Sequence, residues 1–258
     1  MKIIPNKENT ENLIRLWSDV FGDEREYIEL LFPYGKAVCD VFAVSDADEI
    51  VSALYLLDCT LTFNGVKYKG KYLYAAATYE RYRGKGLMAS LIDEAKEYCR
   101  DSSIDFISLV PADEGLYNYY KKFGFTSAMY RTTLYEKKNL LSEDITEISG
   151  EEYFREREAR LQNSITFIGE SVGYAVSCLR YSDMKFYRCD NGRLFITEAD
   201  SCLVDELING NTAVRYVVSD EINGKECDVE KYGMLYPIHP ALKRDWTFTD
   251  LYMNIALD

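Results

Sequence analysis

The chain has 258 residues, with 30 lysines and arginines against 43 aspartates and glutamates, a formal charge of −13 that argues against binding a phosphate backbone, and so against a nucleic-acid partner. At 47% hydrophobic and 28% charged, the composition excludes a disordered or fibrous chain and leaves room for one large domain or two. No apolar run approaches the roughly 18 residues that a membrane-spanning helix needs, and the opening Met-Lys-Ile-Ile-Pro-Asn lacks the apolar core of a signal peptide, so a cytoplasmic protein with no membrane partner is expected.

Residues 9 to 31 place Leu13, Ile14, Leu16, Trp17, Val20 and Phe21, then Tyr27, Ile28, Leu30 and Leu31, at helical spacing around a break at Phe21-Gly22-Asp23, which predicts two short amphipathic helices. Three β-rich runs follow, Val41 to Val44, Ile50 to Leu57 and Leu61 to Phe63, and Asn64-Gly65 supplies a tight hairpin before Val66. This reads as an antiparallel meander. Tyr72 to Thr78 predicts another strand whose centre is Ala75, Ala76 and Ala77; side chains this small let a ligand approach the backbone. A polar turn leads into a helix from Leu87 to about Arg100. Phe106 to Val110 predicts a strand, Leu116 to Phe123 a helix and Ser127 to Tyr135 a strand, so the first 135 residues are expected to close as one α/β unit. A polar segment places a domain boundary near residue 140, giving domains 1–140 and 141–258. Beyond it lie a charged helix, Glu151 to Gln162, an ambiguous run from Ile165 to Leu179, four strands at Lys185 to Cys189, Leu194 to Thr197, Val214 to Val218 and Tyr232 to Tyr236, and an end segment, Leu251 to Leu257.

The seven cysteines are odd in number and form no C-x-x-C pair, so neither a disulfide framework nor a thiolate metal site is expected. His239, the single histidine, sits in Tyr-Pro-Ile-His-Pro, a turn context that favours a structural role and leaves the chemistry without a histidine base.

Arg81-Tyr82-Arg83-Gly84-Lys85-Gly86-Leu87-Met88-Ala89 lies between a strand and a helix. Two readings stand beside each other. It is a solvated basic turn, or the open amides of a helix N-terminus and its glycines hold a diphosphate. A P-loop fails, because Lys85 is followed by Gly86 where a Ser or Thr would hold magnesium. A dinucleotide fingerprint, Gly84-x-Gly86-x-x-Ala89 with Asp105 downstream, suits a parallel unit in which the glycines directly follow the strand; here Tyr79 to Arg83 intervene.

The segment Tyr-Arg-Gly-Lys-Gly-Leu-Met at 82–88, after an alanine-rich strand, resembles motif A of the GNAT N-acetyltransferase superfamily, Arg/Gln-x-x-Gly-x-Gly/Ala. Arg83 and Gly86 match it, and Met88 stands where Gly or Ala is usual. Downstream, Tyr119-Tyr120-Lys121-Lys122-Phe123-Gly124-Phe125 resembles motif B. The resemblance covers roughly residues 1 to 135. It implies an acyl-CoA N-acyltransferase fold, α/β of the α+β kind, in which helices flank a mixed, largely antiparallel sheet. It also implies acetyl-CoA as cosubstrate, transferred to a primary amine by direct attack. Ala75, Ala76 and Ala77 would pair with the pantetheine, and the amides of Arg83, Gly84, Lys85, Gly86, Leu87 and Met88 would hold the pyrophosphate. Tyr120 would protonate the departing thiolate, a step a phenol can perform; the plain alternative is that Tyr117, Tyr119 and Tyr120 are core, and Tyr117 is the alternate acid.

The glutamate that some family members carry in the strand before motif A is replaced by Gly70-Lys71-Tyr72. Asp113 and Glu114 are either a proton acceptor acting through water or a turn that caps the next helix. Pro111 to Tyr117 and the C-terminal end resemble the enhanced-intracellular-survival type of acetyltransferase. That likeness implies a second, degenerate acetyltransferase-like α/β domain without an acetyl-CoA site, and a terminal carboxylate, here Asp258, in the active site. The acid-rich charge favours a cationic acceptor. The alternative from another class is an acyl-CoA-binding sensor without catalysis. A homo-oligomer stays open.

Overall fold

A computed structural model describes residues 2–3, 7–136, 145–160, 163–189, 194–197, 214–216, 228–247, 251 and 253. In chain order the elements are β1 (Lys2–Ile3), α1 (Lys7–Phe21), α2 (Arg25–Glu29), β2 (Asp40–Asp46), β3 (Glu49–Phe63), β4 (Val66–Thr78), α3 (Leu87–Asp101), β5 (Phe106–Leu109), α4 (Glu114–Lys121) and β6 (Thr126–Glu136). The second half adds β7 (Ile145–Ile148), α5 (Gly150–Arg160), β8 (Ser164–Phe167), α6 (Glu170–Tyr181), β9 (Lys185–Cys189), β10 (Leu194–Thr197), β11 (Val214–Tyr216) and β12 (Asp228–Pro237). Among the described residues no helix is long and apolar enough to cross a membrane.

The main sheet runs β1-β2-β3-β4-β5-β12-β6-β11, with β8 on β3. Its pairs are antiparallel except β4 with β5, the mixed, mostly antiparallel α/β sheet expected from the sequence. The apolar stripe of α1 buries Leu13, Leu16 and Trp17 against Tyr55, Tyr72 and Tyr74 on one face, and Leu91, Ile92 and Ala95 of α3 meet Leu54, Leu56 and Leu73 on the other. Alternation along β4 sends Tyr72 and Tyr74 one way and Leu73 the other.

Two expectations are corrected here. The sheet does not close within the first 135 residues: β12, from the second half, lies between β5 and β6, with Met234 opposite Leu109 on one side and Ser127 on the other. The runs 50–57 and 61–63 are a single strand, because Asp58, the residue that breaks the apolar run, pairs across the ladder with Lys71. At fifteen residues β3 holds β2 along its first half and β8 along its second. The ambiguous 165–179 run resolves into strand β8 and helix α6, split at Gly169. A small sheet, β10-β9-β7, completes the second half. Of the predicted end segment, only Leu251 and Met253 lie among the described residues; both are buried.

Lys71 anchors the lower end of β4. Its side chain is only 8% exposed, and Nζ lies 2.6 Å from both Asp40 and Asp58; Asp40 also meets Lys2 at 2.5 Å and accepts from the Tyr98 hydroxyl at 3.0 Å. Burial alone would lower the Lys71 pKa and raise that of Asp40, but their hydrogen bonds and opposite charges win, leaving Lys71 raised and Asp40 lowered. The Asp40 contribution to stability is therefore present above the ordinary carboxylate pKa and lost as pH falls through its depressed value. The Lys71 contribution holds below the ordinary lysine pKa and is lost only as pH rises through its raised value. Replacing Lys71 by Met removes the Asp58 ion pair and leaves Asp40 paired with Lys2, so urea melts at neutral pH should show a loss of about 3 kcal/mol, the low end for a broken buried pair because Asp40 keeps Lys2 and Asp58 is half exposed. The loss should shrink in acid as Asp40 protonates. An equal loss at both pH values would reject the ion-pair origin.

Candidate active site

The site begins with a defect in β4. Ala53 of β3 faces Ala77 and Tyr55 faces Tyr74, so Ala75 and Ala76 together oppose Leu54 in a bulge. Ala75 takes a φ of 44°. Bulges bend a strand and end its pairing, and the parallel ladder with β5 covers only Gly70 to Tyr72 against Phe106 to Ser108. Beyond Tyr72 the two strands part, and a cavity of about 590 Å³ opens in the gap. Ala75 and Ala76 line it on the β4 side, Leu109 to Ala112 on the β5 side and Tyr117 and Tyr120 from α4. Ala77 does not: it is buried, paired with Ala53, and its carbonyl accepts from Ser52 Oγ at 3.2 Å.

The glycine turn lies on the surface, with Arg83 to Gly86 exposed and Leu87 and Met88 half-buried. Gly86 caps α3 with a φ of 79°, and among the described residues no side chain bonds to the open amides there; that left-handed backbone is one glycine adopts without a Cβ penalty. The ladder starts with Ser90 donating to the Gly86 carbonyl at 3.0 Å. Arg83 is corrected on one point: its amide already donates to the Glu80 carbonyl at 3.0 Å, so the amides open to an anion begin at Gly84. Among the cations, Arg81 is paired with Glu49, Arg83 Nε donates to the Thr78 carbonyl at 3.2 Å and Lys85 sits 4.5 Å from the Tyr82 ring centroid. Met88 packs its side chain against the α3 side of the core, away from where its amide is needed.

Tyr120 is 7% exposed, wedged edge-on against Tyr119 and Phe125 with ring centroids 5.4 and 5.7 Å away. No hydrogen-bond partner for its hydroxyl is found among the described residues, and the residue lines the cavity. Burial, and to a lesser degree the neighbouring Tyr119, push the phenol pKa above its ordinary value, so it stays protonated and can donate. Asp113 takes the capping role, its Oδ1 accepting from the Leu116 amide at 2.9 Å. His239 likewise serves its own turn, Nδ1 accepting from the Ala241 amide at 3.2 Å. Asp258 lies outside the described residues. Among the described residues no cluster of three His, Cys, Asp or Glu side chains could hold a metal ion.

Two cavity residues escaped the sequence reading. Asp23, from the turn between α1 and α2, lines the cavity with Trp17 and Phe21, and its Oδ2 accepts from Trp17 Nε1 at 2.7 Å. The Phe21-Gly22-Asp23 break was legible; that it faces this cavity was not. Lys231, from β12, also lines the cavity and pairs with Glu114 at 3.1 Å.

In the second half, strand β8 and helix α6 repeat the strand-turn-helix order, but the junction is plugged. Ile168 donates to the Asp58 carbonyl at 3.1 Å, and Ser171 Oγ, fully buried at the start of α6, accepts from the Asp58 amide at 2.8 Å.

Residues 4–128 match the acetyltransferase (GNAT) domain family. No curated protein sequence matches the chain. Among solved structures, a probable N-acyltransferase from Enterococcus faecalis superposes with a TM-score of 0.64 at 15% identity, covering 91% of this chain and 72% of that one. Eis1 from Mycobacterium abscessus gives 0.62 at 10% identity, covering 90% and 72%. A putative acetyltransferase from Pyrococcus horikoshii gives 0.55 at 15% identity, covering 99% and 95%. At these identities the likeness is one of fold.

Proposed function

With an acetyltransferase domain of the GNAT family in residues 4–128, the chain is, we propose, an N-acetyltransferase that moves an acetyl group from acetyl-CoA to a primary amine by direct attack. The observation that carries this is the bulge at Ala75 and Ala76, which parts β4 from β5 over a cavity lined by Tyr120, whose hydroxyl has no partner among the described residues. The amides from Gly84 to Met88, at the positive end of the α3 dipole, hold the pyrophosphate. The backbone at Ala75 and Ala76 pairs with the pantetheine and leads the thioester into the cavity. Tyr120 gives its proton to the sulfur as the C–S bond breaks. Asp23, held by the Trp17 indole, receives the incoming ammonium, which loses one proton to solvent before the neutral amine attacks; the second proton, lost from nitrogen as the amide forms, restores Tyr120 through solvent, and the charge of −13 draws cations toward the protein.

Titration calorimetry with acetyl-CoA together with a thiol-release assay over an amine panel tests the reading. Binding with turnover supports it. Binding without turnover on any amine would leave an acyl-CoA-binding module, a reading favoured by the absence of a carboxylate at Gly70-Lys71-Tyr72. Gly86→Ala puts a Cβ on left-handed backbone, a strain of roughly 1–2 kcal/mol relieved by moving the amides, so acetyl-CoA affinity should fall about tenfold. Unchanged affinity would place the pyrophosphate elsewhere.

A further inference from the structure

Resting on the acetyl-transfer reading, we propose that Lys231 selects the acceptor through a carboxylate, so that the acceptor amine carries an acid group two or three bonds from its nitrogen, as an α- or β-amino acid does. Lys231 reaches the cavity because β12 is bulged at that point. Lys231 faces Tyr130 on β6, Gly233 faces Met129 and Met234 faces Ser127, a shifted register on both sides of Gly233. Bulges re-aim side chains, and this one requires glycine: a Cβ at 233 would lie 2.5 Å from Met129 Cε and 3.1 Å from the Leu109 carbonyl oxygen.

Among the described residues Lys231 is the one cation lining the cavity, against Asp23, Asp113 and Glu114. Asp23 is engaged by Trp17 and Asp113 by the Leu116 amide. Glu114 is the partner of Lys231, but its side chain is 71% exposed and that of Lys231 41%, and a pair so open to water holds weakly. A substrate carboxylate inside the cavity can displace it.

Geometry sets the spacing. Lys231 Nζ lies 5.7 Å from the ring centroid of Tyr117, and Tyr117 and Tyr120 are three residues apart on α4, so they are neighbours on one face, about 5–6 Å between Cβ atoms. An acid held at Lys231 therefore brings an amine two or three bonds away alongside Tyr120, where the thioester is attacked. A longer spacer overshoots, and an amine with no acid loses the anchor.

The test uses the full chain, acetyl-CoA and matched sets, each an α-amino acid, its methyl ester and its decarboxylated amine. Thiol release is paired with calorimetry of the same compounds on the CoA-saturated chain. The acid should exceed both analogues in kcat/KM by at least tenfold, mainly through KM. Lys231→Met should collapse that ratio toward one, Lys231→Arg should keep it, and Glu114→Gln, which removes the competing carboxylate, should lower the KM for the acid. An ester or amine that equals the acid on the native chain, or a ratio unmoved by Lys231→Met, overturns the proposal. If no acceptor releases thiol but only the acid binds, and Lys231→Met abolishes that binding, the transfer reading falls while the carboxylate site stands.

Discussion

A chain cut after residue 140 should neither melt cooperatively nor bind acetyl-CoA. Such a chain contains both motifs and the whole of β4, α3, β5 and α4, but it lacks the strand that joins β5 to β6. Met234 and Leu235 of β12 are fully buried, one in each of the two core clusters on the sheet's faces. Removing them leaves ladder groups and apolar surface open on β5 and β6, and a buried backbone group without a partner costs as much as a lost hydrogen bond. Lys231 and Tyr232 go with them, so the cavity loses a wall. Circular dichroism melts and calorimetry read the result. A variant in which a flexible linker replaces residues 141–227 keeps β12 and should recover part of the binding. A cooperative melt with full acetyl-CoA affinity for the 1–140 chain would show that β12 is dispensable.

Tyr120→Phe should lower kcat by about 10²–10⁴-fold, the range for loss of a positioned general acid, while acetyl-CoA affinity stays close to that of the native chain. The substitution keeps the ring contacts with Tyr119 and Phe125 and removes only the hydroxyl. Because burial raises the Tyr120 pKa, its hydroxyl remains protonated as pH passes the ordinary phenol value of about 10. The rate of the native chain should accordingly show no alkaline fall at that value. Tyr117→Phe is the control: if it costs more than Tyr120→Phe, the acid is Tyr117, and if neither lowers kcat, solvent protonates the thiolate.

The parts of this site that were legible in the sequence are local. The Asn64-Gly65 turn, the alanine strand and the capped start of α4 each announce themselves within a few residues, because a turn, a small-residue run and an N-cap are short-range signals. The open amides of the glycine turn follow from the same kind of reading. What stayed hidden is long-range. Nothing around Met234 says that it will lie beside Leu109, and nothing around Lys231 says that a bulge will turn it toward Tyr117. Asp23 looks like an ordinary helix break until α1 packs Trp17 beneath it. The Ile165 to Leu179 run defeated period counting because its apolar residues suit both a buried strand and a helix, and only tertiary pairing with β3 decides that its first three residues are extended.

The place of β12 also bears on how the protein is made. On the ribosome, β5 and β6 emerge long before their shared neighbour, and no local contact can stand in for it. The first half of the sheet must therefore wait, incompletely zipped, until β12 has been synthesised. Long-range pairing of this kind slows folding and leaves strand edges open to aggregation in the interval. Yield in a cell should thus depend on chaperone supply and growth temperature more than the finished molecule's stability would suggest.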